Sequence, residues 1–181
     1  MDRTRYRVIK SEVKFKGKIL TLIVDQVRLP HGSVCEREVV KHKGAVGIVP
    51  LNEQNEVILV KQYRHPIGDF LLEIPAGKLS GCEDPLQCAI RELREETGNK
   101  CGRMIKLAQF YTTPGYSDEF FHLYLATDLE EGSVQPEGGE ELEMKVVKIP
   151  LRNALDMISS GEIRDGKTII GLSLAEKHLR S

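Results

Sequence analysis

Along the first forty or so positions, apolar and polar residues alternate with a period of two. The stretches "RYRVIKSEVKF", "ILTLIVDQVRL" and "VCEREVVKH" are rich in β-branched residues, and turn signals separate them at Gly17 and at "PHGS". This pattern predicts three antiparallel strands. The next two apolar stretches, "AVGIVPL" and "EVILVKQYR", are joined by the polar turn "NEQN". Both are more continuously apolar, as strands covered on two faces are. "FLLEIPAG" predicts one short strand closing in a Pro-Ala-Gly turn.

The period then changes. Asp84 is a candidate N-cap with Pro85 at the first helical position, and Leu86, Ala89 or Ile90, Leu93 and Thr97 give the spacing of one buried helix face. Gly98 marks the helix stop. Beyond it, "RMIKLAQFYTT", "EFFHLYLATDL" and "LEMKVVKIP" predict three more strands, "LRNALDMISSGE" a short helix and "TIIGLSLAEKHLR" a terminal one. The expected class is α+β, with mostly antiparallel sheet. Residues 1–42 are expected to form a separate N-terminal sheet that pairs with a second copy of the chain, and residues 43–181 the main domain.

Composition narrows the partners. Lys plus Arg is 26 against 27 for Asp plus Glu, a formal net charge of -1. A chain so balanced lacks the basic surface of a nonspecific nucleic-acid binder. No apolar run approaches the roughly 20 residues of a membrane span, and the start "MDRTRYRVIK" has no signal-type apolar stretch. The expected location is the cytoplasm. Cys35, Cys82, Cys88 and Cys101 show no paired zinc spacing.

The chemistry concentrates on the helix. Glu92, Glu95 and Glu96 stand at i, i+3 and i+4, so they share one ridge. Like charges at these spacings repel, unless the ridge is simply a solvated face or cations neutralise it. The sequence pattern sets the ridge apart from the apolar face, with Arg91 four positions before Glu95. Clustered carboxylates suit a hard divalent cation, Mg²⁺ above all, which also takes phosphate oxygens. Such a site can hold a diphosphate and activate water.

The full stretch reads Gly77, five residues, Glu83, seven residues, Arg91-Glu92-Leu93, one residue, Glu95-Glu96, one residue, Gly98. It resembles the signature of the Nudix hydrolases at every position but the last, where Asn99 replaces the usual aliphatic residue. The resemblance implies an α/β/α sandwich with mixed sheet over the main domain. It also implies hydrolysis of a nucleoside diphosphate linked to another group. It assigns metal binding to Glu92, Glu95, Glu96 and the carbonyl of Ala76. Glu83 would support the loop, and Arg91 would orient the carboxylates. Glu96 and Arg91 thereby enter the catalytic set. The implied cofactor is Mg²⁺, with Mn²⁺ or another hard divalent cation as the substitute.

"TTPGYSDE" places Pro114 sixteen residues after Gly98, within a Pro-Gly-x-Ser-x-Glu stretch that ends at Glu119. With "QYRHPIGDFLLEIPAGK", this resembles the ADP-ribose pyrophosphatase subgroup, whose N-terminal strands commonly exchange between two chains of a homodimer. The substrate implied is ADP-ribose or a similar ADP-sugar. GDP-mannose or another nucleotide sugar is the alternative, and a nucleotide-sensing module without catalysis is the rival from another class. A base on a mobile loop suits the chemistry. "PEGGEELEM" supplies Glu140, directly after Gly138-Gly139, or Glu141. Arg64, Glu73, Pro114 and Glu119 are candidate substrate contacts, as are Arg37 or Glu38 from a neighbouring subunit, with Tyr116 a candidate to stack on a base.

Overall fold

The computed structural model describes residues 6–133 and 144–180. The chain divides into two compact units, Met1–Gly44 with Tyr111–Phe120, and Ala45–Phe110 with Phe121–Ser181.

The first unit is an antiparallel sheet in the order β1-β2-β3, from Arg7–Lys16, Thr21–Arg28 and Val34–Lys41. Its turns follow the local chemistry. Gly32 at φ 94 tightens the turn between β2 and β3, where its amide donates to the Leu29 carbonyl at 2.9 Å; an L-residue rarely adopts that backbone. The segment after Tyr111 docks on the end of β3. The Val40 amide donates to the Tyr116 carbonyl at 2.7 Å, and the His42 amide to Asp118 Oδ1 at 2.8 Å. Every residue of β1 is exposed, including Val8, Val13 and Phe15.

The second unit carries β4 (Ala45–Pro50), β5 (Glu56–Arg64), β6 (Asp69–Glu73), β7 (Ala76–Lys78), α1 (Pro85–Thr97), β8 (Lys100–Tyr111), β9 (Phe120–Glu130), β10 (Lys145–Pro150), α2 (Leu151–Ser160) and α3 (Gly166–Leu179), apart from the ends of β8 and β9 that lie in the first. One sheet runs β7-β4-β9-β8, with β4 and β9 parallel; the other, β10-β5-β6, is antiparallel. The alternation along β4 and β9 explains the layering. Ala45, Val49, Phe121, Leu123 and Leu125 join a core with Leu172 and Ala175 of α3. The opposite face, Val46, Ile48, Tyr124 and Ala126, packs on Cys88, Ala89 and Leu93 of α1. A period of two thus buries both faces of one sheet between helices.

Two sequence expectations are corrected here. "FLLEIPAG" is not one strand. β6 ends at Glu73, Pro75 offers no amide to a ladder, and the Ile74 amide donates to Thr168 Oγ1 at 2.9 Å. The chain then enters a different sheet as β7. The apolar face of α1 also differs. Leu86 and Ile90 are 37% and 42% exposed, while Cys88, Ala89, Leu93 and Thr97 are buried together with Glu95 and Glu96. The helix turns its acidic ridge inward rather than displaying it, because partners for those carboxylates lie on that side.

Candidate active site

The strand β7, the loop after it and helix α1 form one local device. Asp84 caps α1 as expected, its side chain accepting from the Leu86 and Gln87 amides at 3.0 and 3.2 Å, with Pro85 next. Gly98 closes the helix at φ 75, its amide on the Arg94 carbonyl. These ends fix the helix axis and register.

Arg91 organises the acids. Its Nε and Nη2 donate to the two oxygens of Glu83 at 3.0 and 3.1 Å, a paired fork across the loop. Its Nη1 lies 2.8 Å from Glu95 Oε2 and 2.8 Å from Glu92 Oε1. One guanidinium therefore serves three carboxylates. It holds the Glu83 carboxyl far below its usual 4.5, at about 2, against the opposing effect of burial. The charge of Arg91 is reinforced in turn, first by Glu83 and also by Glu92 and Glu95. Cys88 lies beneath it, with Sγ 3.3 Å from Nη2, and burial pushes that thiol up to about 12. Cys88 is therefore a packed neutral thiol, not a nucleophile.

Glu96 is only 7% exposed and accepts the Ala76 amide at 3.0 Å. Glu92 reaches the next residue, for a Cβ at Gly77 would lie on its carboxylate. Glycine at 77 permits this close approach, since a Cβ there would push the Glu92 carboxylate aside. Ala76-Gly77 and the acidic ridge thus face each other. The ridge offers carboxylate oxygens, which fit a hard divalent cation. Among the described residues no three acidic, His or Cys groups are already spaced as ligands. Arg91 occupies part of that role, drawing Glu92 and Glu95 to itself.

The remaining candidates divide by unit. Arg64 and Glu73, in the second, bind each other through Nε to Oε1 and Nη2 to Oε2, both at 2.7 Å. Glu73 is 1% exposed. In the first unit, Arg37 lies opposite Asp25 on β2 and lines an open groove of about 400 Å³ with Glu38, Tyr116 and Lys10. Glu119 accepts the Thr112 hydroxyl at 2.6 Å and lies 3.5 Å from His42 Nδ1. Pro114 belongs to the segment docked on β3, and Tyr116 is exposed. Glu140 and Glu141 lie outside the described residues. Sequence reasoning missed the Ala76 amide as a partner of Glu96, since a backbone donor leaves no residue-type signal. It also missed Lys167, Asp165 and Thr168, which adjoin Glu73 and Ile74. The spacing of Asp165 three before Thr168 is an N-cap signal that could have found the start of α3. At Asn99, the residue outside the signature pattern, Nδ2 donates to the Thr97 carbonyl and hydroxyl while the buried Oδ1 has no partner among the described residues.

A capped helix presenting carboxylates to a glycine-containing strand, on one face of a mixed sheet with helices on both sides, defines an α+β class. The NUDIX domain profile matches residues 41–163, and the nucleoside diphosphate sugar hydrolase N-terminal domain profile matches residues 6–40. The chain belongs to the Nudix family. It is 40% identical over 168 residues to the ADP-ribose pyrophosphatase of Bacillus subtilis (strain 168), covering 93% of this chain and 91% of the relative. It is also 40% identical over 166 residues to the methanol dehydrogenase activator of Bacillus methanolicus, covering 92% and 90%. A GDP-mannose pyrophosphatase of Salmonella typhimurium is 35% identical over 159 residues, covering 78% and 82%. The fold is shared with the crystal structure of an ADP compounds hydrolase at a TM-score of 0.85, covering 97% of this chain and 95% of that one at 20% identity. Nudix hydrolases generally need a divalent metal. Among the described residues no helix is long and apolar enough to cross a membrane.

The Glu83 pairing has a pH signature. A carboxyl held at about 2 when folded and at 4.5 when unfolded contributes stability above pH 4.5, and loses it as the pH falls towards 2. Glu83→Gln is expected to lower stability at pH 7 and to flatten the dependence between pH 4.5 and 2. Urea unfolding at a series of pH values measures both; a slope equal to wild type would remove the pair.

Proposed function

We propose that the chain hydrolyses the diphosphate bond of ADP-ribose, or of a similar ADP-sugar, to AMP and the sugar phosphate, which for ADP-ribose is ribose 5-phosphate. The observation that carries this reading is the gathering of Glu92, Glu95 and Glu96 on Arg91 and on the Ala76-Gly77 loop. The substrate rests on the names carried by the relatives, ADP-ribose pyrophosphatase among those most similar. GDP-mannose is the second reading, favoured by the GDP-mannose pyrophosphatases at 35% identity.

Glu92, Glu95, Glu96 and the Ala76 carbonyl would hold Mg²⁺, or Mn²⁺ in its place. When bound, the ion supplies charge withdrawal from the diphosphate oxygens and makes water more acidic. The chain's own groups do the rest. Arg91 holds Glu92 and Glu95 against their mutual repulsion, and the Ala76 amide holds Glu96. Glu83 holds Arg91 in turn. Arg64, held on Glu73 through Nε and Nη2, offers its remaining edge to the diphosphate; Pro114 and Glu119 are further candidate substrate contacts, as is Arg37 or Glu38 towards a neighbouring subunit's site. A proton would leave the attacking water to a carboxylate of the sequence 136–144, Glu140 with Glu141 as the alternative. Residues 1–42 act as the dimerising part of a homodimer and residues 43–181 as the hydrolase domain. The exposed Val8, Val13 and Phe15 of β1 support that division. Sedimentation of the purified chain tests it, and a monomer at micromolar concentration would refute it.

Incubation with Mg²⁺ and separately with ADP-ribose, GDP-mannose and dGTP, followed by chromatography, tests the activity. AMP is expected fastest from ADP-ribose, and EDTA is expected to stop its release. Glu96→Gln is expected to lower turnover by about 10²-fold or more with the fold kept. Turnover of dGTP alone, or of nothing, contradicts the reading.

A further inference from the structure

Beyond the acidic ridge, a second group of charges in the second unit, two of them buried, lies on β5, β6 and the start of α3. Both oxygens of Glu73 are taken by the Arg64 fork. Lys167 Nζ lies 3.7 Å from Glu73 Oε2 and pairs with Asp165 Oδ1. Asp165 is the N-cap of α3 and 8% exposed. Its other oxygen accepts the Thr168 amide at 2.9 Å and the Thr168 hydroxyl at 2.7 Å. That hydroxyl accepts the Ile74 amide, beside Glu73. The ring of contacts therefore closes, with two cations against two anions.

This arrangement changes the role of Glu73. A buried carboxylate with both oxygens engaged does not meet a sugar; it holds Arg64. The Arg64 side chain is 40% exposed, and its Nη1 edge is turned away from the Glu73 fork. Its charge is reinforced first by Glu73 and then by Asp165 and Glu96, which places it within electrostatic reach of the acidic ridge. Asp165 belongs to the same ring, joined to the Arg64–Glu73 pair through Lys167. Lys167 now neutralises Asp165. Without it, a buried carboxylate with one uncompensated oxygen would compete with Glu73 for the guanidinium, and uncompensated buried charges are strongly unfavourable.

We infer that Lys167 is a positioning residue, which keeps Arg64 docked on Glu73 by occupying Asp165, so that the outer edge of Arg64 stays presented to the substrate diphosphate. The substrate clause rests on the function proposed above; the docking of Arg64 does not. Lys167 acts through Arg64, so its effect vanishes where the fork is already lost. A fixed cation that binds ground state and transition state alike lowers KM more than it raises kcat.

The experiment is a double-mutant cycle on ADP-ribose hydrolysis, with an NMR spectrum of the arginine Nε–H groups on the same proteins. Lys167→Met is expected to raise KM about tenfold with a smaller change in kcat, and Lys167→Arg to restore it to within about threefold. Arg64→Lys keeps the charge but loses the fork. In that background Lys167→Met is expected to add nothing. The Arg64 Nε–H signal, assigned by its absence in Arg64→Lys, is expected to shift in Lys167→Met and to return in Lys167→Arg. Lys167→Gln serves as a second neutral variant if Lys167→Met does not fold. Effects of the two substitutions that multiply, or an unmoved Arg64 signal, would overturn the inference. A wild-type protein that leaves ADP-ribose intact defeats the substrate reading alone, and the NMR arm still decides the role of Lys167.

Discussion

The salt-bridged Arg91 is the interaction on which the candidate site depends. Three carboxylates within five positions of one helix repel one another, and two of them, Glu95 and Glu96, are almost fully buried. Burial makes the repulsion more costly, because the charged forms lose water. Arg91 answers this with a single planar group that reaches Glu83, Glu92 and Glu95 at once. A lysine could not, since a point charge on a flexible stem lacks the two-sided fork. Glu96 is left to a different solution, the Ala76 amide. Arg91 and the Ala76 amide are thus among the groups that hold the acids, and a divalent ion would add to this set rather than create it.

The fold delivers these partners to one place. Packing Val46 and Ile48 of β4 against Cys88, Ala89 and Leu93 sets the distance between sheet and helix α1. The β7 strand pairs with β4, Val46 opposite Gly77, so the Ala76-Gly77 backbone lies at that same height. Gly77 allows the last approach, where any side chain would displace the Glu92 carboxylate. On the other face, Leu172 and Ala175 of α3 pack on the same sheet, while Asp165 and Thr168 at its start fasten the Ile74 backbone. The short segment from Glu73 to Lys78 is therefore held from both sides of the sheet, which is what a site built on backbone atoms requires.

Much of this was legible in the sequence, and for physical reasons. The caps of α1 at Asp84 and Gly98 are written in local residue chemistry, and the structure uses both. The strands alternate with a period of two, and that order survived. What failed was information held by tertiary partners. "FLLEIPAG" reads as one apolar run, yet Pro75 and the demand of Thr168 for the Ile74 amide divide it between two sheets. Leu86 and Ile90 look like core residues by spacing, but the helix rolls to bury Cys88 and its acids instead. Propensity gives an apolar stripe and cannot weigh a buried carboxylate with a good partner against an exposed isoleucine. Arg64 and Glu73 were separately legible as site residues; that they bind each other was not, because nine positions of separation across a hairpin is a register question.

Thermal unfolding across a series of Mg²⁺ concentrations, with NaCl matched for ionic strength, measures whether these carboxylates together receive a divalent ion. Binding to the folded state alone raises the midpoint in proportion to the logarithm of the free ion once it exceeds the dissociation constant. The account predicts that Mg²⁺ raises the midpoint of the wild-type protein continuously and that NaCl does not. An unchanged midpoint in Mg²⁺, or an equal shift in NaCl, would contradict the claim that the ridge of Glu92, Glu95 and Glu96 is a metal-binding site.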